Sequence, residues 1–156
     1  MRSQTCKQLQ TQRGVAMVEF AIALPLLLLL LLAIGEFGRM LYHYNSLQQA
    51  SRDAGRYVAG QAWNATLGQI ELNTDLQNQT KSVAVFGVPA NPGAYPPVVP
   101  ALSTGDVTVS SAGSEHVQVS ISYVFRPVIG SSLPGFFGNA IPLGISLRST
   151  VVMRVL

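Results

Sequence analysis

Apolar positions along this chain fall into three successive patterns. From Phe20 to Gly35, sixteen residues run without a charge, and residues 26–32 are consecutive leucines. Including residues 15–19 lengthens the run to twenty-one and adds one carboxylate, Glu19. About 20 residues cross a bilayer core as a helix, so the pattern predicts one membrane span over residues 15–36. Next, Phe37, Met40, Leu41, Tyr44, Leu47, Ala50, Ala54, Tyr57 and Val58 recur at spacings of three and four, with Arg39, His43, Asn45, Gln48, Gln49, Arg52, Asp53 and Arg56 between them. That period marks an amphipathic helix over residues 37–60, with Gly60 as its stop. The continuous helix, residues 15–60, would be about 70 Å long at its standard rise. Residues 61–80 are rich in Asn, Gln and Thr and read as a polar helical or loop segment. The third pattern has period two. Residues 81–88 read as a strand, and Val107 and Val109, then Val117, Val119, Ile121, Tyr123 and Phe125, alternate with polar neighbours, as does the run 145–155. This predicts a half-buried antiparallel sheet. Five prolines make residues 89–100 a stiff loop between strands. The fold class expected is therefore α+β: a long N-terminal helix followed by a small β-rich head over residues 81–156.

Two alternatives compete with a membrane span for the apolar run. Ala33-Ile34-Gly35 is a tolerable small-x-small site, so a cleavable secretory signal remains open. A buried core helix is the poorer alternative, because a domain of this size hardly surrounds seven leucines on every face. A lipoprotein anchor fails because Cys6, the single cysteine, precedes the apolar run instead of following it. One cysteine also excludes an intramolecular disulfide and a cysteine metal cluster.

Composition supports the membrane or export class. In 156 residues, Asp, Glu, Lys and Arg make up only 11%, against about 25% in a soluble domain. The mean hydropathy is +0.32. The net charge of +3 belongs to the leader, residues 1–14, which holds Arg2, Lys7 and Arg13 and no acid. From residue 15 onward seven basic side chains balance seven acidic ones. A nucleic-acid partner needs clustered cations on the folded surface, and the balance argues against one. Cations flanking the N-terminal end of a span instead predict a cytoplasmic N-terminus and an extracytoplasmic head.

Candidate chemistry is sparse. Glu71 and Asp75, four apart, would share one helical face, but no third group accompanies them. His43 and His116 lie far apart without neighbouring ligands and read as solvated. Asn64-Ala-Thr66 and Asn78-Gln-Thr80 fit the glycosylation acceptor pattern, which is frequent by chance. Phe136 and Phe137 sit in a glycine-rich loop, either as a partner contact or tucked into the head. No phosphate-binding loop, nucleophile elbow or metalloprotease motif occurs. The expectation is a protein that is not an enzyme and uses no cofactor or metal.

The string Arg13-Gly-Val-Ala-Met-Val-Glu-Phe20, placed before a leucine-rich span, resembles the processing site of type IV pilins and pseudopilins. That resemblance implies cleavage between Gly14 and Val15 by a prepilin peptidase. It also implies that Glu19 meets the new amino group of Val15 on an adjacent subunit and sets axial register, with Phe20 beside it. An acid at the centre of a span costs roughly 2.5–3.5 kcal/mol and tends to be functional; near the helix N-terminus the cost is smaller. A carboxylate that merely snorkels to the headgroups is the plainer alternative. The longer string from Val18 through Pro25, Gly35 and Gly38 to Arg39, with Ala50 to Tyr57, is similar to the TadE-like family, minor pseudopilins of the tight-adherence (Flp) pilus. Val119 to Pro127 and Ile141 to Arg154 are similar to that family's C-terminal strands, whereas residues 61–115 have no match there. Membership would imply a structural subunit in the bacterial inner membrane. Its expected partners are the prepilin peptidase, other pilins and pseudopilins, the inner-membrane assembly platform and the lipid bilayer, with Pro25, Gly35 and Gly38 in membrane packing. The competing class is a single-span anchored or secreted binding domain.

Overall fold

The computed structural model describes residues 5–90, 93, 95–128, 132–133, 139, 141–142 and 144–156, with backbone alone for residues 5–13, 132–133 and 141–142. Pro92, Phe136 and Phe137 lie outside the described residues. Helix α1 runs Thr5–Ala59. The chain divides into two units, residues 1–38 and residues 39–156. The class is α+β, in the pilin-like order of one long N-terminal helix followed by a small antiparallel sheet.

The first unit is helical as far as it is described. α1 begins well before residue 15, so part of the leader is helix. Residues 6–12 are mostly Gln, Lys and Leu, all good helix formers, and Gly14 opposes them by only about 1 kcal/mol. Pro25 lies inside the helix without ending it. Its missing amide leaves the carbonyl of Ala21 without the usual donor four residues on. The most apolar 18-residue window of the helix is 0% buried. That removes the core-helix alternative, because a core helix would be covered by its own chain. By length, composition and exposure this segment fits a single-pass membrane anchor.

The second unit is built on the remainder of α1. Leu47, Ala50, Ala54 and Val58 form its buried stripe, as their spacing predicts. They share one core with the inward residues of a three-stranded antiparallel sheet, β3 (Val107–Ser111), β4 (His116–Val124) and β7 (Ser146–Arg154), in the order β3-β4-β7. Alternation sets the faces: Val107 and Val109, Val117, Val119, Ile121 and Tyr123, and Leu147 and Ser149 point inward. The register is Val109↔Val119↔Val151 across the three strands. Gly113 takes φ 89 in the turn between β3 and β4, a conformation that favours glycine. Two minor pairs complete the strands, β1 (Trp63–Asn64) with β2 (Gln69–Ile70) and β5 (Ser132–Leu133) with β6 (Ile141–Pro142).

Residues 81–88 are not a strand. They belong mostly to α2 (Thr74–Phe86), which buries Leu76, Thr80, Val83 and Ala84 at helical spacing. The Asn73 side chain accepts a hydrogen bond from the Leu76 amide at its start, and Gly87, at φ 75, closes its end. Lys81-Ser-Val-Ala-Val-Phe reads as a strand only because a short valine-containing apolar run is too brief to show the helical period. The polar segment 61–80 likewise resolves into the β1–β2 hairpin and the first half of α2. Glu71 precedes the helix, so it and Asp75 do not share a helical face.

Candidate assembly and processing site

Gly14, Val15, Val18, Glu19 and Ile22 line one shallow concave strip of the α1 surface. Their spacing accounts for this: 14, 18 and 22, with 15 and 19 beside them, stack on one helical face. Val15 and Glu19 are thus one turn apart on the same side, and Phe20 is exposed next to them. The Gly14–Val15 peptide is itself helical. A free amino group created at Val15 would begin the helix one turn from the Glu19 carboxylate, at the end where the helix dipole favours an anion. Gly35 and Gly38 have open space where a Cβ would stand. Neither glycine is required by contacts within the chain, so each leaves a shallow place on the helix surface where another backbone can approach.

A second cluster lies where α1 begins its run through the head. Arg39 donates from Nη2 to the carbonyl of Arg126 at 2.6 Å, and its guanidinium lies 4.8 Å from the centre of the Phe125 ring. One turn on, His43 is 6% exposed and meets Tyr123 and Phe125 edge-on, with ring centres 5.9 and 5.6 Å away. The expectation of a solvated His43 is therefore corrected. The reason is its place on the helix: residue 43 precedes Leu47 by four and shares its inward face. His116 is exposed, as expected. Burial raises the Tyr123 pKa above the ordinary phenol value, opposed by the nearby positive charges of Arg126 and Arg39. The hydroxyl thus stays protonated and donates to the carbonyl of Pro100 at 3.1 Å.

The remaining candidates have structural employment. Asn64 accepts from the amides of Thr66 and Leu67 and donates to the Glu71 carboxylate at 2.6 Å, which closes the β1–β2 turn. Asn78 is exposed on α2. Among the described residues no group of three or more His, Cys, Asp or Glu side chains is placed to hold a metal ion.

Residues 14–56 match the family model described as TadE-like protein. No curated protein and no solved structure matches the chain. The matched segment begins at Gly14, includes the strip around Glu19 and ends within the last turns of α1.

Proposed function

We propose that this TadE-like chain is a minor pseudopilin-like structural subunit of a tight-adherence pilus machine, and that its work is assembly rather than catalysis. In this reading a prepilin peptidase removes residues 1–14, and Val15 becomes the N-terminus. The apolar helix resides in the bacterial inner membrane with the head extracytoplasmic, and other pilins, pseudopilins and the assembly platform are its partners. The observation that carries the reading is the exposed apolar helix bearing Gly14, Val15 and Glu19 on one strip within the family match. In lipid, the Val15 ammonium and the Glu19 carboxylate have few other groups to solvate them, so an inter-subunit pair would fix the axial position of neighbouring helices. Phe20 would pack beside that pair, and the open surfaces at Gly35 and Gly38 would admit a partner helix.

The N-terminal residue of the protein extracted from its native membrane tests this directly. A start at Val15 supports processing. A start just after Gly35 would identify a secreted domain, and an intact Met1 a plain anchor. Gly14→Leu is expected to retain the mass of residues 1–14. Glu19→Val is expected to be cut normally but to abolish incorporation and surface adherence. Normal adherence by Glu19→Val would end the register role.

A further inference from the structure

We infer that the end of the head at which α1 arrives is a membrane-docking surface that lies on the anionic headgroup layer. This rests on the reading of residues 15–36 as a membrane span, and adds a second, separable contact made by the folded head.

The surface is assembled from three chain segments. The hydrogen bond from Arg39 to the Arg126 carbonyl places residues 125–128 beside the first turn of α1 within the head. The Phe125 amide donates to the Ile145 carbonyl at 2.9 Å, and the register Val124↔Ser146 and Ser122↔Arg148 brings the start of β7 to the same end of the sheet. Four large side chains here are exposed although the core is close by: Val128 (75%), Tyr42 (67%), Val124 (57%) and Ile145 (46%). Arg126 and Arg148 are exposed among them.

Charge separates this end from the other. Within the head, Arg39, Arg126 and Arg148 stand at this end. The acids nearest are Glu36, one turn before Arg39 on α1, and Asp106, just before β3, which already accepts from the Ser103 amide and hydroxyl, so three arginines face two carboxylates. At the opposite end of β4, Glu115 pairs with Arg154 at 3.0 Å. Valine, isoleucine and tyrosine interleaved with arginine suit the boundary between acyl chains and phosphate groups: the apolar groups enter the upper acyl region, the arginines meet phosphates, and tyrosine favours this depth. Connectivity supplies the proximity. Arg39 follows Gly35, the last residue of the apolar run, by four positions, which even fully extended reach no more than about 14 Å. A positively charged, apolar rim tethered that close to a bilayer is complementary to anionic lipid.

Nitroxide accessibility of the full-length protein in vesicles tests the proposal. In a Cys6→Ser background, single labels are placed at Val128→Cys, at Leu28→Cys within the span and at Val152→Cys near the other end of the sheet. In vesicles of phosphatidylcholine with phosphatidylglycerol, the Val128 label is expected to favour oxygen over a water-soluble nickel chelate severalfold more than the Val152 label does. Adding Arg126→Glu and Arg148→Glu, or using phosphatidylcholine alone, is expected to return it to the aqueous ratio. A Val128 label open to nickel while the Leu28 label reads lipid overturns the docking surface and leaves the span intact. A Leu28 label open to nickel overturns the span, and the docking proposal with it. Shielding of Val128 from both reagents identifies a protein contact and also overturns the proposal, as does docking indifferent to headgroup charge.

Discussion

Ser51 and Ser149 show how a polar pair is accommodated between α1 and the sheet. Both are buried, with their hydroxyl oxygens 2.8 Å apart. Ser51 also donates to the Gln48 carbonyl at 2.9 Å. A hydroxyl has a single proton, so Ser149 donates to Ser51 and Ser51 passes its own proton bond on to the helix backbone. Ser51→Ala leaves the Ser149 hydroxyl buried without that acceptor and should destabilise the head by about 1–3 kcal/mol, whereas Ser51→Ala with Ser149→Ala should recover much of the loss. Denaturant unfolding of the two single variants and the double variant reads this as a coupling; strictly additive losses would refute the assignment. Neither serine was visible from sequence. Each occupies an inward position that a hydrophobicity pattern counts as polar, and its partner is 98 residues away. His43 escaped for the same reason: its phase on the helix was readable, but the Tyr123 and Phe125 rings that cover it come from the far end of β4.

The contact between α1 and β7 depends on the absence of a side chain. A Cβ on Gly55 would stand 3.3 Å from Met153 Sδ and 3.4 Å from Val151 Cγ1. Met153 is flexible and half-buried, so Gly55→Ala is expected to be tolerated. Gly55→Leu must force the helix away from the strand and should cost about 1–3 kcal/mol. Thermal unfolding followed by the near-ultraviolet signal of the head checks both, and equal stability of the leucine variant would show that the strand yields. At this scale the sequence was legible wherever an element is long: the apolar helix that fits a membrane anchor follows from an unbroken apolar run, and the buried stripe of α1, β4 and β7 follow from period. It misled at α2, where the short apolar run at the end of the helix resembles a buried strand and the cap at Asn73 lies within a segment of uniform polarity. Gly14, Val15 and Glu19 were marked in the sequence by their resemblance to a pilin processing site, and helical spacing then accounts for their lying on one side of α1. The docking rim was not, because its parts come from residues 42, 124–128 and 145–148 and share no local pattern.

Over the whole molecule the decisive asymmetry is charge on either side of one apolar helix. Orientation follows the Lys and Arg count within about 20 residues of each end of a span, with acids contributing little. The leader offers Arg2, Lys7 and Arg13; the other flank offers Arg39 and Arg52, with Arg56 at the limit of that range. The margin is at most a single cation, so the topology should be easy to shift. Replacing the three leader cations by glutamine leaves flanking cations on the head side alone, and a substantial fraction of molecules is then expected to insert with the head in the cytoplasm. Protease added to spheroplasts checks this: it should digest the head of the unaltered chain and spare that fraction of the variant. Arg13 adjoins the Gly14–Val15 bond, so the variant's N-terminus must be determined in parallel. Molecules that are uncut but correctly oriented would indicate an effect on the peptidase, not on topology. A head that stays fully exposed to protease after all three replacements would mean that the passage of the folded head, rather than the leader, sets the orientation.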